Sequence, residues 1–306
     1  MISIIVPARN NAELTARCLG TLLFSVSRLK LSCEFILIDD HSSEDENILD
    51  VFRQHRAKAV GHECKIVRAK RQQHYSGVFS IGLHLATREI IFFISNDMLM
   101  TPTFLQAQLI VSALSPDFGI VRGTSNYTDS HPEHQVEPAA PIRTFEDITK
   151  FSASVFNTAG AQFVEDRVLS GDAVLIKRAL VEKIGVLDLR FFGYFGDVDY
   201  GMRAHLAGFK LVCAKGAWLY HAGAGHVKRE VDKDPNANLE AHAAKRMTLV
   251  EAAYQEFRRK WSMELPPTYG RAGSLHHFDL ARANAEKVQL KYDPPPTFMD
   301  AFEMHP

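Results

Sequence analysis

The sequence predicts an α/β fold in which a mostly parallel central sheet is flanked by helices. Short uncharged β-branched runs alternate with segments whose apolar residues recur at helical spacing. This alternation of strand, loop and helix is typical of right-handed crossovers, which place helices on both faces of a sheet. Polar residues end three of the predicted strands, and ligands of such sheets bind beyond the carboxyl ends of the strands.

Four strands and four helices are predicted in residues 1–114. The strands are apolar runs at 2–7, 34–38, 65–67 and 89–94. The helices are expected to begin at capping boxes of Asn10 with Glu13 and Ser43 with Glu46, at a run over 79–86, and at Thr101 followed by Pro102.

The pattern is looser from about residue 115 onward. It predicts a surface loop at 125–141, a strand at 173–176, a helix ending before Gly185, a helix at 198–207, strands at 209–213 and 217–220, and a loop at 221–226. We expect residues 1–226 to form one domain with halves at 1–114 and 115–226. Residues 227–306 are expected to add a helical extension, with a helix at 238–261, and an irregular proline-containing tail.

Composition excludes several classes of protein. Hydrophobic residues make up 46% and charged residues 23%, which is ordinary globular usage. With 35 basic and 36 acidic residues the net charge is −1, so a general nucleic-acid binder is not expected. No apolar run approaches the roughly 20 residues of a membrane span, and the N-terminus does not resemble a signal peptide. Four scattered cysteines without a Cys-x-x-Cys pair indicate a reducing compartment, so we expect a cytoplasmic protein.

Acidic residues follow two of the buried strands. Asp39 and Asp40 suit the turn before a helix, or hydrogen bonds to a nucleobase or ribose. Neither a Gly-x-Gly-x-x-Gly fingerprint nor a P-loop accompanies them. Asn96 and Asp97 suit a polar turn, or a carboxylate site for Mg²⁺ or Mn²⁺.

Two further segments could carry chemistry. Asp197 and Asp199 stand where a helix is expected to begin, so they suit a cap, or a general base that takes a proton from a hydroxyl group. Asp172 follows a glycine and suits a turn. His221 and His226 lie in a loop of small residues, either solvated or in contact with a metal or pyrophosphate.

Taken together, these segments resemble the family 2 glycosyltransferases, whose A-type fold binds nucleoside diphosphate sugars. The resemblance covers about residues 1–226. The segments that carry it are Ser3-Ile-Ile-Val-Pro-Ala-Arg-Asn, Phe35-Ile-Leu-Ile-Asp-Asp, Ile90-Ile-Phe-Phe-Ile-Ser-Asn-Asp, Ser170-Gly-Asp-Ala-Val-Leu-Ile-Lys-Arg, Phe192-Gly-Tyr-Phe-Gly-Asp-Val-Asp and Tyr220-His. Phe257-Arg-Arg-Lys-Trp also resembles a C-terminal phrase of some bacterial members.

The resemblance implies a role for each candidate residue. The donor would be a UDP-, GDP- or dTDP-linked sugar, and the acceptor a glycan or a lipid-linked or protein-linked saccharide. Asp97 and His221 would hold Mn²⁺ or Mg²⁺, and Asp197 would be the base of an inverting displacement. The nucleotide would contact Pro7, Ala8, Arg9, Asp39, Asp40, Arg71 and Asn96. Gly171, Asp172 and Asp199 would touch the donor sugar or the acceptor, with Asp199 as the second choice of base.

Departures from the family pattern leave rival interpretations open. Ser95 stands where the first metal-binding Asp is common, and Gly196 replaces the Glu of a Glu-Asp pair. The alternatives are a catalytically silent donor-binding subunit, a nucleotidyltransferase or an interaction module.

The C-terminal helix would cover the acceptor cleft, form a homo-oligomer contact or lie at the inner face of a membrane. Its basic residues are by default solvated: Lys245, Arg246, Arg258, Arg259 and Lys260.

Overall fold

The structure is a computed structural model that describes residues 1–128, 132–166, 169, 172–222, 239–262, 265–269 and 288–306; for 239–243 and 245 it describes the backbone alone. The strands are β1 (Ile2–Ala8), β2 (Cys33–Asp39), β3 (Glu63–Ala69), β4 (Ile90–Ile94), β5 (Met98–Leu99), β6 (Phe118–Ser125), β7 (Phe163–Asp166), β8 (Ala173–Lys177), β9 (Lys210–His221) and β10 (Phe302–His305). The helices are α1 (Ala12–Arg28), α2 (Ile48–Lys58), α3 (His74–Leu85), α4 (Pro102–Ala113), α5 (Phe145–Ala159), α6 (Arg178–Ile184), α7 (Gly196–Leu206) and α8 (Leu239–Trp261).

The strands form one sheet in the order β10-β3-β2-β1-β4-β8-β6-β9-β5, with β7 paired to β9. The predicted α/β sheet flanked by helices is confirmed, and its first four strands are parallel as expected. The sheet as a whole is mixed, because β8 runs antiparallel to both β4 and β6. The carboxyl ends of β1, β2, β4, β6 and β9 therefore meet the amino end of β8 along one edge of the sheet, which we call the site edge.

Apolar side chains fill both faces of the sheet. One cluster packs β1 and β2 against α1 and α4, and a second packs the opposite face against α3, α6 and α7. The strands read as near-continuous apolar runs because both of their faces are buried. A third cluster, which includes Phe195, Tyr254, Phe257 and Trp261, joins α8 to the segment around the start of α7. The helix predicted at 238–261 is thus part of the folded body along its apolar side.

The helix caps differ from the predicted pairs. The N-cap of α1 is Asn11, whose side chain accepts a hydrogen bond from the Leu14 amide. Asn10 instead accepts from the Ser43 amide, and buried Glu46 accepts from the Asn11 amide at 2.8 Å. Both predicted capping boxes are therefore wrong. Their polar side chains satisfy groups across two neighbouring loops, a proximity that local sequence does not encode.

Several boundaries also differ from the sequence predictions. Helix α3 begins five residues earlier than expected, at His74, and the two strands predicted between 209 and 220 form the single strand β9. Thr101 and Pro102 begin α4 as predicted, and Gly185 follows α6. The tail predicted to be irregular ends in a 3-10 helix and in β10, which pairs with the edge strand β3. Among the described residues, no helix is long and apolar enough to cross a membrane.

Candidate active site

Sheet topology brings Asp97, Asp172 and His221 to the site edge. Because β4 and β8 are antiparallel, the end of β4 meets the start of β8, and the Ser95 amide donates to the Asp172 carbonyl at 2.9 Å. Strand β5 pairs with the end of β9, and the Ala222 amide donates to the Asp97 carbonyl at 2.9 Å. Residues 97, 172 and 221 are remote in sequence and adjacent here because three chain segments converge.

Asp97 and His221 form a close pair of opposite character. His221 Nε2 lies 3.2 Å from Asp97 Oδ2, and the two side chains are 8% and 13% exposed. Burial alone would lower the pKa of His221, but the hydrogen bond and charge of Asp97, followed by the charge of Asp172, raise that pKa to about 9. The His221 amide donates to Asn126 Oδ1 at 2.7 Å, which fixes the backbone that carries the imidazole ring.

The pair offers ligand atoms that suit a divalent cation. A carboxylate oxygen and an imidazole nitrogen face each other at ligand separation, and Asp172 adds negative charge beside them. Oxygen with imidazole nitrogen suits Mn²⁺, whereas Mg²⁺ prefers oxygen ligands. A bound cation must displace a proton from His221, because its pKa is raised. The residues present therefore fit the cation that the resemblance implies.

Asp197 approaches the same edge from the first turn of α7. It is half-buried, and its Oδ1 accepts a hydrogen bond from the Val198 amide at 2.9 Å. Burial, followed by the charges of Asp197 and then Asp172, raises the pKa of the Tyr75 hydroxyl well above its ordinary value. Asp172 thus acts electrostatically on both His221 and Tyr75. Asp172 therefore links the Asp97–His221 pair to the neighbourhood of Tyr75, on which Asp197 acts as well.

Asp40 organises the neighbouring loops. Its carboxylate accepts hydrogen bonds from the Gln73 amide at 2.5 Å and the His74 amide at 3.1 Å. Burial raises the pKa of Asp40, and those two amides together with the charge of Arg9 oppose the increase. Arg9 Nη1 donates to the carbonyls of Asp40 and His41. These contacts join the ends of β1 and β2 to the start of α3.

Asp39 is more enclosed than Asp40. Only 1% of Asp39 is exposed, and its Oδ1 accepts from the Ser42 amide at 2.8 Å. Its Oδ2 lies 3.6 Å from Arg68 Nη1 and has no hydrogen-bond partner among the described residues. Of the two carboxylate oxygens of Asp39, Oδ2 is therefore the one that is left to accept a hydrogen bond.

The other predicted nucleotide contacts surround these loops. The Ala8 carbonyl accepts from the Asp40 amide at 2.9 Å, and half-buried Pro7 precedes it in β1. Arg71 is exposed after β3. Asn96 Nδ2 donates to Thr15 Oγ1 at 2.9 Å, which holds the turn after β4 against α1. Gly171 and His226 lie outside the described residues.

Asp199 does not belong to this site. It is fully buried, and its Oδ2 accepts from Arg203 Nε at 2.8 Å. Its Oδ1 lies 2.5 Å from Lys260 Nζ and 3.1 Å from Trp261 Nε1. The predicted contact of Asp199 with sugar or acceptor, and its role as second choice of base, are therefore wrong, because both of its oxygens are engaged in the protein interior.

Sequence reasoning missed the side chains that hold the segment carrying Asp197. Lys260, predicted to be solvated, is 8% exposed and bridges Asp199 to Asp188, which also pairs with Arg190. The position of Tyr75 near Asp172 and Asp197 was missed as well, because Tyr75 belongs to none of the sequence motifs. The segment Phe257–Trp261 was the sequence signal that could have revealed the packing of α8. Its two aromatic residues are four residues apart, which is helical spacing, and three basic residues lie between them.

The sequence is similar to a known family and to several known proteins. Residues 3–185 match the sequence profile described as Glycosyl transferase family 2. The chain is 35% identical over 74 residues to N-acetylglucosaminyl-diphospho-decaprenol L-rhamnosyltransferase of Mycobacterium tuberculosis (strain CDC 1551 / Oshkosh), covering 24% of this chain and 23% of that protein. It is 29% identical over 103 residues to poly(ribitol-phosphate) beta-N-acetylglucosaminyltransferase TarP of Staphylococcus aureus (strain N315), covering 32% and 29%. The matched regions thus span less than a third of these relatives.

A solved structure establishes the fold independently. The mannosyltransferase PcManGT from Pyrobaculum calidifontis, in complex with GDP-Man and Mn²⁺, superposes with a TM-score of 0.53 at 17% identity. The superposition covers 75% of this chain and 59% of that one.

Proposed function

The chain belongs to glycosyl transferase family 2, and we propose that it transfers a sugar from a nucleoside diphosphate donor to a hydroxyl group of a glycan acceptor. The convergence of Asp97, Asp172, Asp197 and His221 at the site edge carries this proposal. The rhamnosyl- and N-acetylglucosaminyltransferase activities in the names of the relatives support it. UDP-, GDP- and dTDP-linked sugars are the donors to test.

Asp97 and His221 would hold the divalent cation, with Mn²⁺ favoured over Mg²⁺ by the imidazole nitrogen. Such a cation offsets the negative charge that develops on the leaving diphosphate. Asp172, whose charge helps to raise the pKa of His221, would add to the negative potential that attracts the cation. Asn126 and the pairing of β5 with β9 keep the two ligand side chains together before any cation arrives.

Asp197 would take the proton of the attacking hydroxyl group. It is the half-buried acid of α7, so an acceptor can reach it, while the Val198 amide holds its carboxylate in place. Removal of a positioned general base lowers rates by about 10²–10⁴-fold. A base opposite the leaving group performs a single displacement, so we propose inversion at the anomeric carbon.

The nucleoside would lie over the loops organised by Asp40. Asp39 Oδ2 and the exposed Arg71 are the groups there that could bind it, with Pro7, Ala8, Arg9 and Asn96 shaping the loops. The acceptor class extends to glycans and to lipid-linked or protein-linked saccharides. We further propose a cytoplasmic location. The exposed parts of α8 would either contact the inner face of a membrane or mediate self-association.

The test is a transfer and donor-hydrolysis assay with each donor in the presence and absence of Mn²⁺. We expect Asp197→Asn to lower turnover by about 10²–10⁴-fold and to leave nucleotide-induced thermal stabilisation intact. Asp97→Asn should abolish the Mn²⁺ dependence of that stabilisation. Asp50→Asn, which changes an acid on the exposed surface, is the matched control. Normal turnover by Asp197→Asn would refute the base assignment.

A catalytically silent donor-binding subunit is the second candidate. It is favoured by Gly196, which replaces the Glu common at this position and where a Cβ would lie 2.1 Å from Ser76 Oγ. Nucleotide binding with no hydrolysis of any donor under Mn²⁺ would favour that candidate over the transferase.

A further inference from the structure

A second group of metal-ligating side chains lies apart from the Asp97–His221 pair. One ligand atom each of His134, Asp166 and Cys213 lies within 4.8 Å of the other two. The three residues come from the turn after β6, the end of β7 and the first half of β9. Cys213 stands beside Arg122 in β6, whereas His221 is held by Asn126, four residues further along. At strand spacing that is about 13 Å, too far to share one ion.

The three side chains are enclosed. The side chains of His134 and Asp166 are 2% and 5% exposed, and Cys213 is fully buried. His134 Nε2 lies 2.5 Å from Asp166 Oδ1. Asp166 Oδ2, in contrast, is buried without a hydrogen-bond partner among the described residues. A buried carboxylate oxygen left without a partner is costly, and a cation would remove that cost.

Charged residues of both signs act on Cys213. Arg122 and Lys215 are the positive groups that act on Cys213, and Asp166 and Glu133 are the negative ones, so the four formal charges cancel. A divalent ion that displaces the thiol proton adds only one net positive charge to the group.

We propose that His134, Asp166 and Cys213 bind a zinc ion, with water as the fourth ligand. Nitrogen, oxygen and sulfur together form a donor set that Zn²⁺ takes readily, and three protein ligands with water is an established zinc arrangement. Mn²⁺ and Mg²⁺ prefer harder ligands, so the two sites select different ions. This proposal is independent of the proposed glycosyl transfer. The ion would tie the segment that carries Asn126 and Tyr127 to the end of β7.

The first test measures zinc on the full chain. Metal-free protein is equilibrated with Zn²⁺ against a chromophoric chelator, and bound zinc is counted by elemental analysis. We expect one zinc per wild-type chain at this group, and binding at least about tenfold weaker in Cys213→Ala and Asp166→Asn. Cys64→Ala removes a thiol outside the cluster and Asp97→Asn alters the other site, so both should keep the zinc.

The second test replaces zinc by Co²⁺ and records the absorption spectrum. A thiolate-to-cobalt charge-transfer band in the wild type that survives in Cys64→Ala and Asp97→Asn supports the proposal. Absence of the band, or equal zinc in Cys213→Ala, overturns it and leaves a metal-free His–Asp hydrogen bond beside a buried thiol. If Cys213→Ala fails to fold, the wild-type spectrum together with Asp166→Asn decides the question.

Discussion

Two groups of charged residues in this protein differ in their ion-pair partners and in their exposure to solvent. In the site-edge group, His221 pairs with Asp97 and feels the charge of Asp172, and Asp197 in α7 is half-buried. In the group that we call the buried network, Asp188 and Asp199 are matched by Arg190, Arg203 and Lys260. Acids near solvent can attract a cation or a proton, whereas acids paired with cations in the interior hold structure.

Asp197 and Asp199 make the contrast sharpest, because they lie two residues apart in α7. We expect Asp199→Ala to destabilise the protein by about 3–5 kcal/mol, since it leaves Arg203 buried without its carboxylate. Asp197→Ala should change the free energy of unfolding by less than about 1 kcal/mol. Urea denaturation of both variants measures the difference, and equal destabilisation would contradict the division into two groups.

Lys260 is the cation that joins α8 to the buried network. We expect Lys260→Met to cost about 1.5–3 kcal/mol, because charge-assisted contacts to Asp188 and Asp199 are lost. Lys150→Met is the control, since Lys150 pairs with Glu146 at an exposed position and should contribute little. Transfer activity should fall with Lys260→Met as well, because the network anchors the segment that carries Asp197. An unchanged unfolding midpoint in Lys260→Met would show that α8 is held by its apolar contacts alone.

The two groups should also respond to opposite ends of the pH scale. The folded-state pKa of His221 is raised to about 9, so its stabilising effect is complete below pH 6.5 and is lost as the pH rises through 9. Although burial opposes it, the contacts with Arg190 and Lys260 lower the pKa of Asp188 to about 2. That contribution is present above pH 3.8 and is lost as the pH falls toward 2.

Denaturation of metal-free protein at several pH values separates these windows. His221→Gln should flatten the decline between pH 6.5 and 9 and leave the acid side unchanged. If the wild type and His221→Gln lose stability in parallel over this range, the Asp97–His221 pair does not contribute as the geometry indicates.

The smallest expected effect concerns Gly196, at the boundary between the two groups. Gly196→Ala places a Cβ against Ser76 Oγ, which donates a hydrogen bond to the Phe191 carbonyl. Loss of this hydrogen bond should lower the free energy of unfolding by about 1 kcal/mol. In a Ser76→Ala background the same change should cost less. A double-mutant cycle by thermal denaturation measures this coupling, and strict additivity would contradict it.

Much of the structure of residues 1–114 was readable from sequence because its signals are local. Buried parallel strands appear as apolar runs, and Thr101 with Pro102 begins α4 as their backbone preferences require. The capping boxes failed because Asn10 and Glu46 bond across loops that are neighbours only in space. The predictions for Asp199 and Lys260 failed for the same reason, because each side chain contacts partners from another helix.

The sequence by itself determined the α/β fold class, the strands of the first half and the acidic residues at their ends, because apolar periodicity and strand-end polarity are properties of neighbouring residues. The tertiary structure alone decided which acids work together. The antiparallel insertion of β8 brings Asp172 beside Asp97 and His221, and the docking of α8 encloses Asp199 but leaves Asp197 only half-buried. Burial and charge partners are set by packing between distant segments, so no local pattern records them.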